Sequence, residues 1–93
     1  MRIAICDYKK NEREKYLRIF SALAKKHNID KDMEFILYAR CEELVFHFED
    51  RIFMDILFID IGMQDMQGVE TVRKLRQMGY KGEIVFLTEL QGQ

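Results

Sequence analysis

The stretch LFIDIGMQDMQG, residues 57–68, decides the fold of this chain. Its first half is an apolar run that ends on one carboxylate, Asp60, and its second half is a short loop that ends on Gly68. The run predicts a buried strand, and the spacing of apolar residues after Gly68 predicts an amphipathic helix. A buried strand that ends on aspartate places the carboxylate at the carboxyl edge of a sheet, where open α/β sheets bind ligands.

The length and composition are typical of one globular domain. The chain has 93 residues, of which 48% are hydrophobic and 33% are charged, and its formal net charge is −1. This balance gives no reason to expect nucleic acid or an anionic membrane as a partner of this segment. No apolar run approaches the roughly 20 residues that span a bilayer. Cys6 and Cys41 lack CxxC spacing and are typical of reduced, packed thiols in a cytoplasmic protein, with a disulfide as the less favoured alternative.

Strand and helix patterns alternate along the sequence. Apolar runs predict strands over 2–7, 33–39, 55–60 and 83–88. Apolar residues at three- and four-residue spacing predict helices after an N-cap at Asn11, over 41–50, and from Val69 to Met78. Because the strands are nearly continuously apolar and the connections are helical, the sheet is predicted to be parallel and covered on both faces. The fold class is therefore α/β, a doubly wound parallel sheet.

Three of the predicted strands end on oxygen-bearing side chains, Asp7, Asp60 and Thr88. If the sheet is doubly wound with strand order 2-1-3-4, strands one, three and four are neighbours, and the three groups converge at the switch point between the first and third strands. Two carboxylates suit Mg²⁺, which binds a few protein oxygens and keeps several waters. A carboxylate beside such a cation can attack phosphorus, and the Thr88 hydroxyl can donate a hydrogen bond to a phosphoryl oxygen.

At these residues the sequence resembles the receiver domain of bacterial two-component response regulators. The resemblance rests on Ile5–Cys6–Asp7, on residues 57–68 and on Phe86–Leu87–Thr88, and it is closest to receivers that precede LytTR-type DNA-binding domains. It implies a flavodoxin-like receiver fold over residues 1–93. It also implies that the domain is incomplete at its C-terminus and lacks the last helix-strand-helix portion.

The resemblance implies a role for each residue of the site. Asp60 would be the phosphate-accepting aspartate and Thr88 the hydroxyl that senses the phosphate. Asp7, Asp60 and the backbone carbonyl of Gly62 would bind Mg²⁺. A sensor histidine kinase would donate the phosphoryl group, so the domain would not be an enzyme in the turnover sense. It would regulate transcription through a C-terminal DNA-binding domain outside this chain.

Three positions depart from the family pattern and keep other hypotheses open. Tyr8 replaces the second acid that normally ends the first strand, Gln64 replaces a proline, and Glu89 replaces a small residue. The first change removes a Mg²⁺ ligand, and the charge of Glu89 would repel a phosphoryl group. The alternative is a pseudo-receiver, a protein-interaction or dimerisation module that needs no phosphate. An aspartyl phosphatase of the haloacid dehalogenase type is disfavoured, because it needs a second aspartate where Gly62 stands.

The strand predicted over 83–88 would form an apolar sheet edge with an uncovered face. Exposed edges pair with other chains, and uncovered apolar patches mark interfaces. We therefore expect self-association or a homodimer through this edge. A fragment of a longer regulator is the alternative that the sequence leaves open.

Overall fold

Four strands alternate with three α-helices in the part of the chain that the structure describes, residues 1–61 and 68–88. The sequence prediction of alternating strands and helices is confirmed. In this computed structural model the elements are, in chain order, β1 (Arg2–Cys6), α1 (Lys10–Lys26), a short 3₁₀ helix (Asp30–Asp32), β2 (Glu34–Tyr38), α2 (Cys41–Glu49), β3 (Ile56–Asp60), α3 (Gly68–Gln77) and β4 (Glu83–Leu87).

The four strands form one parallel sheet in the order β2-β1-β3-β4, which confirms the predicted order. In the register, Cys6 of β1 lies level with Tyr38 of β2 and with Ile59 of β3. Asp60 of β3 lies level with Leu87 of β4. All four strands therefore end at the same edge of the sheet, which we call the carboxyl edge.

The two faces of the sheet are covered differently. Leu57 and Ile59 face a core built from α2 and α3, which includes Leu44, Val45 and Leu75. Side chains alternate along a strand, so Phe58 faces the other side. There its ring stacks on Phe20 of α1, with ring centres 4.5 Å apart. Thus α2 and α3 cover one face of the sheet, and α1 covers the other.

The N-cap of the first helix lies two residues before the predicted one. Lys9 occupies the N-cap of α1 and makes no side-chain cap hydrogen bond, so the prediction of Asn11 as N-cap is wrong. The reason lies in the loop, where the Lys9 N–H donates to Oδ1 of Asp7 over 2.9 Å. The Arg13 guanidinium donates to the carbonyls of Asp7 and Tyr8 over 2.8 and 3.1 Å. These bonds turn the chain into the helix before Asn11 is reached.

The two cysteines lie in the interior, as the sequence analysis predicted. Cys6 and Cys41 are both buried, and neither is part of a disulfide. Within residues 1–61 and 68–88, no helix has the length and apolar character needed to cross a bilayer.

The β4 strand lies at one end of the described sheet and exposes apolar side chains. Val85 is 41% exposed and Phe86 is 45% exposed. These two residues alternate along the strand, so they project from opposite faces. The predicted apolar edge is therefore present in the described sheet, while self-association through it stays a prediction.

Candidate functional site

The sheet register brings the two predicted aspartates to adjacent positions. Cys6 and Ile59 are partners in the β1–β3 ladder, so the next residues, Asp7 and Asp60, lie level with each other at the carboxyl edge. Neighbouring strands are about 4.8 Å apart. Asp7 is 4% exposed, whereas Asp60 is half-buried. The edge thus holds one buried carboxylate beside one that an incoming group can reach.

Thr88 lies at the same edge. In the register of the sheet it is one residue beyond the position that pairs with Asp60. The ladder partner of Asp60 is Leu87, and the Ile61 N–H donates to the Leu87 carbonyl over 3.2 Å. Thr88 follows the last residue of β4 and is exposed. Its role as a switch hydroxyl stays a prediction. Gly62, the predicted backbone ligand, lies outside the described residues.

Asp7 is held by its own loop. Its Oδ1 accepts the Lys9 N–H, and its backbone N–H donates to the Tyr38 carbonyl over 3.0 Å. The adjacent Tyr8 is 38% exposed, and the Lys9 ammonium lies 5.7 Å from the centre of its ring. Tyr8 is therefore a surface side chain, not part of the hydrophobic core. At the position where receiver domains normally have a second acid, this chain therefore has an exposed phenol.

The oxygen donors present can be compared with what Mg²⁺ requires. Within the described part of the chain, no group of three or more His, Cys, Asp or Glu side chains is arranged to hold a metal. Mg²⁺ is usually bound through one or two carboxylates and keeps several waters. Asp7 and Asp60, level on neighbouring strands, meet that smaller requirement. The residues present fit Mg²⁺ through two carboxylates, one fewer than the family pattern supplies.

Tyr16 of α1 is a residue that the sequence analysis did not assign to the site, and its electrostatic surroundings include both aspartates. Its ring stacks on Phe20 at 6.0 Å, and the Lys15 ammonium lies 5.0 Å from its ring centre. Burial raises the pKa of the Tyr16 phenol, Lys15 lowers it, and the carboxylates of Glu12, Asp7 and Asp60 raise it further. The hydroxyl is therefore within electrostatic reach of both aspartates. In the sequence, the one feature that could have indicated this is the position of Tyr16 in the first half of α1, the helix that follows β1 and Asp7.

His47 of α2 forms a hydrogen bond to the last residue of β2. The Tyr38 hydroxyl and His47 Nδ1 form a hydrogen bond of 2.6 Å, and the rings meet edge to face. Burial is the main cause that raises the pKa of Tyr38 to about 12. This pair ties α2 to the end of β2, which is a structural role.

A surface cavity of about 610 Å³ lies at the opposite edge of the sheet from the aspartates. Its apolar lining includes Phe48, Phe53, Met78 and Tyr80. The Tyr80 hydroxyl donates to the Met54 carbonyl over 2.8 Å and so braces this end of the fold. The cavity is therefore remote from the carboxylates and brings no reactive group to them.

Comparisons with known proteins find similar three-dimensional structures but no similar sequences. No protein-family model matches the chain, and no curated protein matches it. One similar solved structure is a fusion that carries a trimeric coiled-coil segment of yeast Spc42. It is 19% identical with a TM-score of 0.79, and the match covers 98% of this chain and 54% of that one. Another is the receiver domain of a Francisella response regulator, 14% identical with a TM-score of 0.70, covering 98% of this chain and 68% of that one.

Similarity at these identities concerns the fold. The chain spans about half the length of the first of these structures and about two thirds of the second. The receiver domain matches over 98% of the present chain, and the chain has a parallel sheet in the order 2-1-3-4 with three helices. The chain therefore has the flavodoxin-like fold of a response regulator receiver domain.

Proposed function

We propose that this chain is a signalling receiver that accepts a phosphoryl group on Asp60 from a sensor histidine kinase. The observation that carries the proposal is the register that sets Asp7 beside Asp60 at the carboxyl edge. The receiver fold supports it, because this edge is where doubly wound sheets bind ligands. The half-buried state of Asp60 leaves its carboxylate accessible to a donor.

The reaction is a transfer between two proteins. A carboxylate oxygen of Asp60 attacks phosphorus, the P–O bond forms as the P–N bond to the kinase imidazole breaks, and the released nitrogen takes up a proton from solvent. Asp7, Asp60 and the carbonyl of Gly62 would hold Mg²⁺, which neutralises charge on phosphoryl oxygens when bound. The chain activates only its own modification, so it would not turn over as an enzyme.

The output of the receiver is a shift between two conformations. The hydroxyl of Thr88 would donate to a phosphoryl oxygen on Asp60, which favours the conformation that makes this contact. The resemblance to LytTR-type regulators makes a DNA-binding domain, C-terminal to this segment, the proposed effector. Pairing between copies through β4 is the proposed form of self-association. We place this signalling in the cytoplasm.

A pseudo-receiver is the second candidate function. The exposed phenol of Tyr8 favours it, because it stands where the family supplies a second acid. The exposed Val85 and Phe86 favour it too, because an apolar strand can pair with a partner without any phosphate. In that case the fold would serve only as an interaction or dimerisation surface.

One labelling experiment separates the two candidates. The protein is incubated with acetyl phosphate and Mg²⁺, and its intact mass is measured for the wild type, Asp60→Asn and Asp55→Asn. Asp55 is the matched control, because its carboxylate accepts the Arg2 N–H over 2.7 Å at the opposite end of β3. We expect one added phosphoryl group in the wild type and in Asp55→Asn, and none in Asp60→Asn. An unlabelled wild type would favour the pseudo-receiver, and a labelled Asp60→Asn would place the acceptor elsewhere.

A further inference from the structure

The geometry of α1 against β3 places Tyr16 beside Asp60. The crossover helix α1 joins the parallel strands β1 and β2, so it runs antiparallel to the sheet. Phe20 stacks on Phe58, with ring centres 4.5 Å apart. Four residues back along a helix is about 6 Å, and two residues on along a strand is about 6.6 Å. Moving toward the carboxyl edge by this distance leads from Phe20 to Tyr16 on α1 and from Phe58 to Asp60 on β3. Phe58 and Asp60 lie on the same face of the sheet, so Tyr16 is expected near Asp60.

The surroundings of the Tyr16 hydroxyl agree with this position. Burial is the main cause that raises the pKa of its phenol, Lys15 lowers it, and the charges of Glu12, Asp7 and Asp60 add smaller increases. The Lys15 ammonium covers the Tyr16 ring and pairs with the Glu12 carboxylate over 2.6 Å. The edge of α1 thus presents a phenol O–H, with a cation at its ring, to the same carboxylates that the sheet register aligns.

We propose that the Tyr16 hydroxyl is a ligand of the phosphoryl group on Asp60 and donates a hydrogen bond to one of its oxygens. This inference rests on the proposed function, because it assigns a further contact in the same site. A hydrogen bond from a neutral hydroxyl to an anionic oxygen is short and stronger than one between neutral groups. Tyr16 would act from α1, on the side of the site away from β4 and Thr88.

The contribution of the hydroxyl can be separated from that of the ring. The stack on Phe20 and the Lys15 contact both use the aromatic ring. Phenylalanine at this position keeps both contacts and removes only the O–H. Tyr80→Phe is the matched control, since it deletes a hydroxyl that bonds the Met54 carbonyl at the opposite edge.

The test measures the rate of labelling of Asp60 by acetyl phosphate in the wild type, Tyr16→Phe and Tyr80→Phe. Losing one hydrogen bond to a charged group should slow Tyr16→Phe about tenfold or more. Tyr80→Phe should stay within about twofold of the wild type. As a second readout, beryllofluoride with Mg²⁺ should change the near-ultraviolet tyrosine absorbance of the wild type, and this change should be lost in Tyr16→Phe.

The outcomes distinguish this inference from the proposed function. Equal labelling rates in the wild type and Tyr16→Phe would overturn the role of Tyr16 and leave Asp60 as acceptor. A loss of rate in Tyr80→Phe as large as that in Tyr16→Phe would also overturn it, because the effect would then be general. A wild type that takes no label would overturn both proposals.

Discussion

Gly68 permits the close approach of α3 to the end of β3, and replacing it with alanine tests that packing. A Cβ at this position would lie 2.5 Å from the carbonyl oxygen of Asp60 and 3.0 Å from Cα of Ile61. Both neighbours are backbone atoms, so no flexible side chain can move aside. To reach an ordinary contact of 3.4 Å, the helix and the strand end must separate by about 0.9 Å.

Two opposing effects determine whether Gly68→Ala lowers or raises the free energy of unfolding. Inserting a carbon into a well-packed contact costs about 1–3 kcal/mol. Against this, alanine is favoured over glycine within a helix by up to about 1 kcal/mol. Because Gly68 is the first residue of α3, we expect little of that gain. Gly68→Ala should therefore lower the free energy of unfolding by about 1–2 kcal/mol.

Urea denaturation followed by circular dichroism measures this change. With a slope of about 1 kcal/mol per molar urea, the midpoint should fall by about 1–2 M. Gln77→Ala is the control, because Gln77 is an exposed residue at the other end of α3 and its change should stay within about 0.5 kcal/mol. If Gly68→Ala is as stable as the wild type or more stable, the close approach does not constrain the strand end.

Two further predictions concern the buried tyrosine of β2 and the exposed strand β4. The pKa of Tyr38 is raised from 10.0 to about 12, so the unfolded chain releases this proton first. Stability should therefore fall between pH 10 and about 12, and urea denaturation across this range should show a shallower fall for Tyr38→Phe. Val85→Lys places a charge on the exposed apolar strand and should therefore reduce self-association, measured by sedimentation velocity. Glu83→Lys, at the exposed start of the strand, is the control and should not reduce it. A wild type that stays monomeric at every concentration would show that β4 does not pair between copies.

Local pattern was sufficient to predict the elements and their order. Apolar runs and three- or four-residue spacing depend on neighbours along the chain, and they predicted four strands and three helices close to where the structure has them. The parallel order 2-1-3-4 followed from helical crossovers together with the receiver resemblance. The position of Asp60 as the last residue of β3 was likewise predictable, because an apolar run that ends on a carboxylate predicts a buried strand that ends there.

Individual side-chain contacts, whether within a loop or between distant elements, could not be predicted in this way. The start of α1 depends on the bond between the Asp7 carboxylate and the Lys9 N–H, which an isolated N-cap pattern at Asn11 does not reveal. The electrostatic influence of Asp60 on the Tyr16 phenol depends on how α1 packs against β3, where Phe20 stacks on Phe58.

The strands, the helices and the carboxylate that ends the third strand could all be predicted from the amino-acid sequence. They follow from the periodicity of burial along the chain. The side chains around that carboxylate depend on packing between elements. The tertiary structure set Asp7 level with Asp60, left Thr88 one residue further out, and brought the Tyr16 phenol into reach of both aspartates. The reason is that register and helix placement arise from packing between distant segments, which no local pattern encodes.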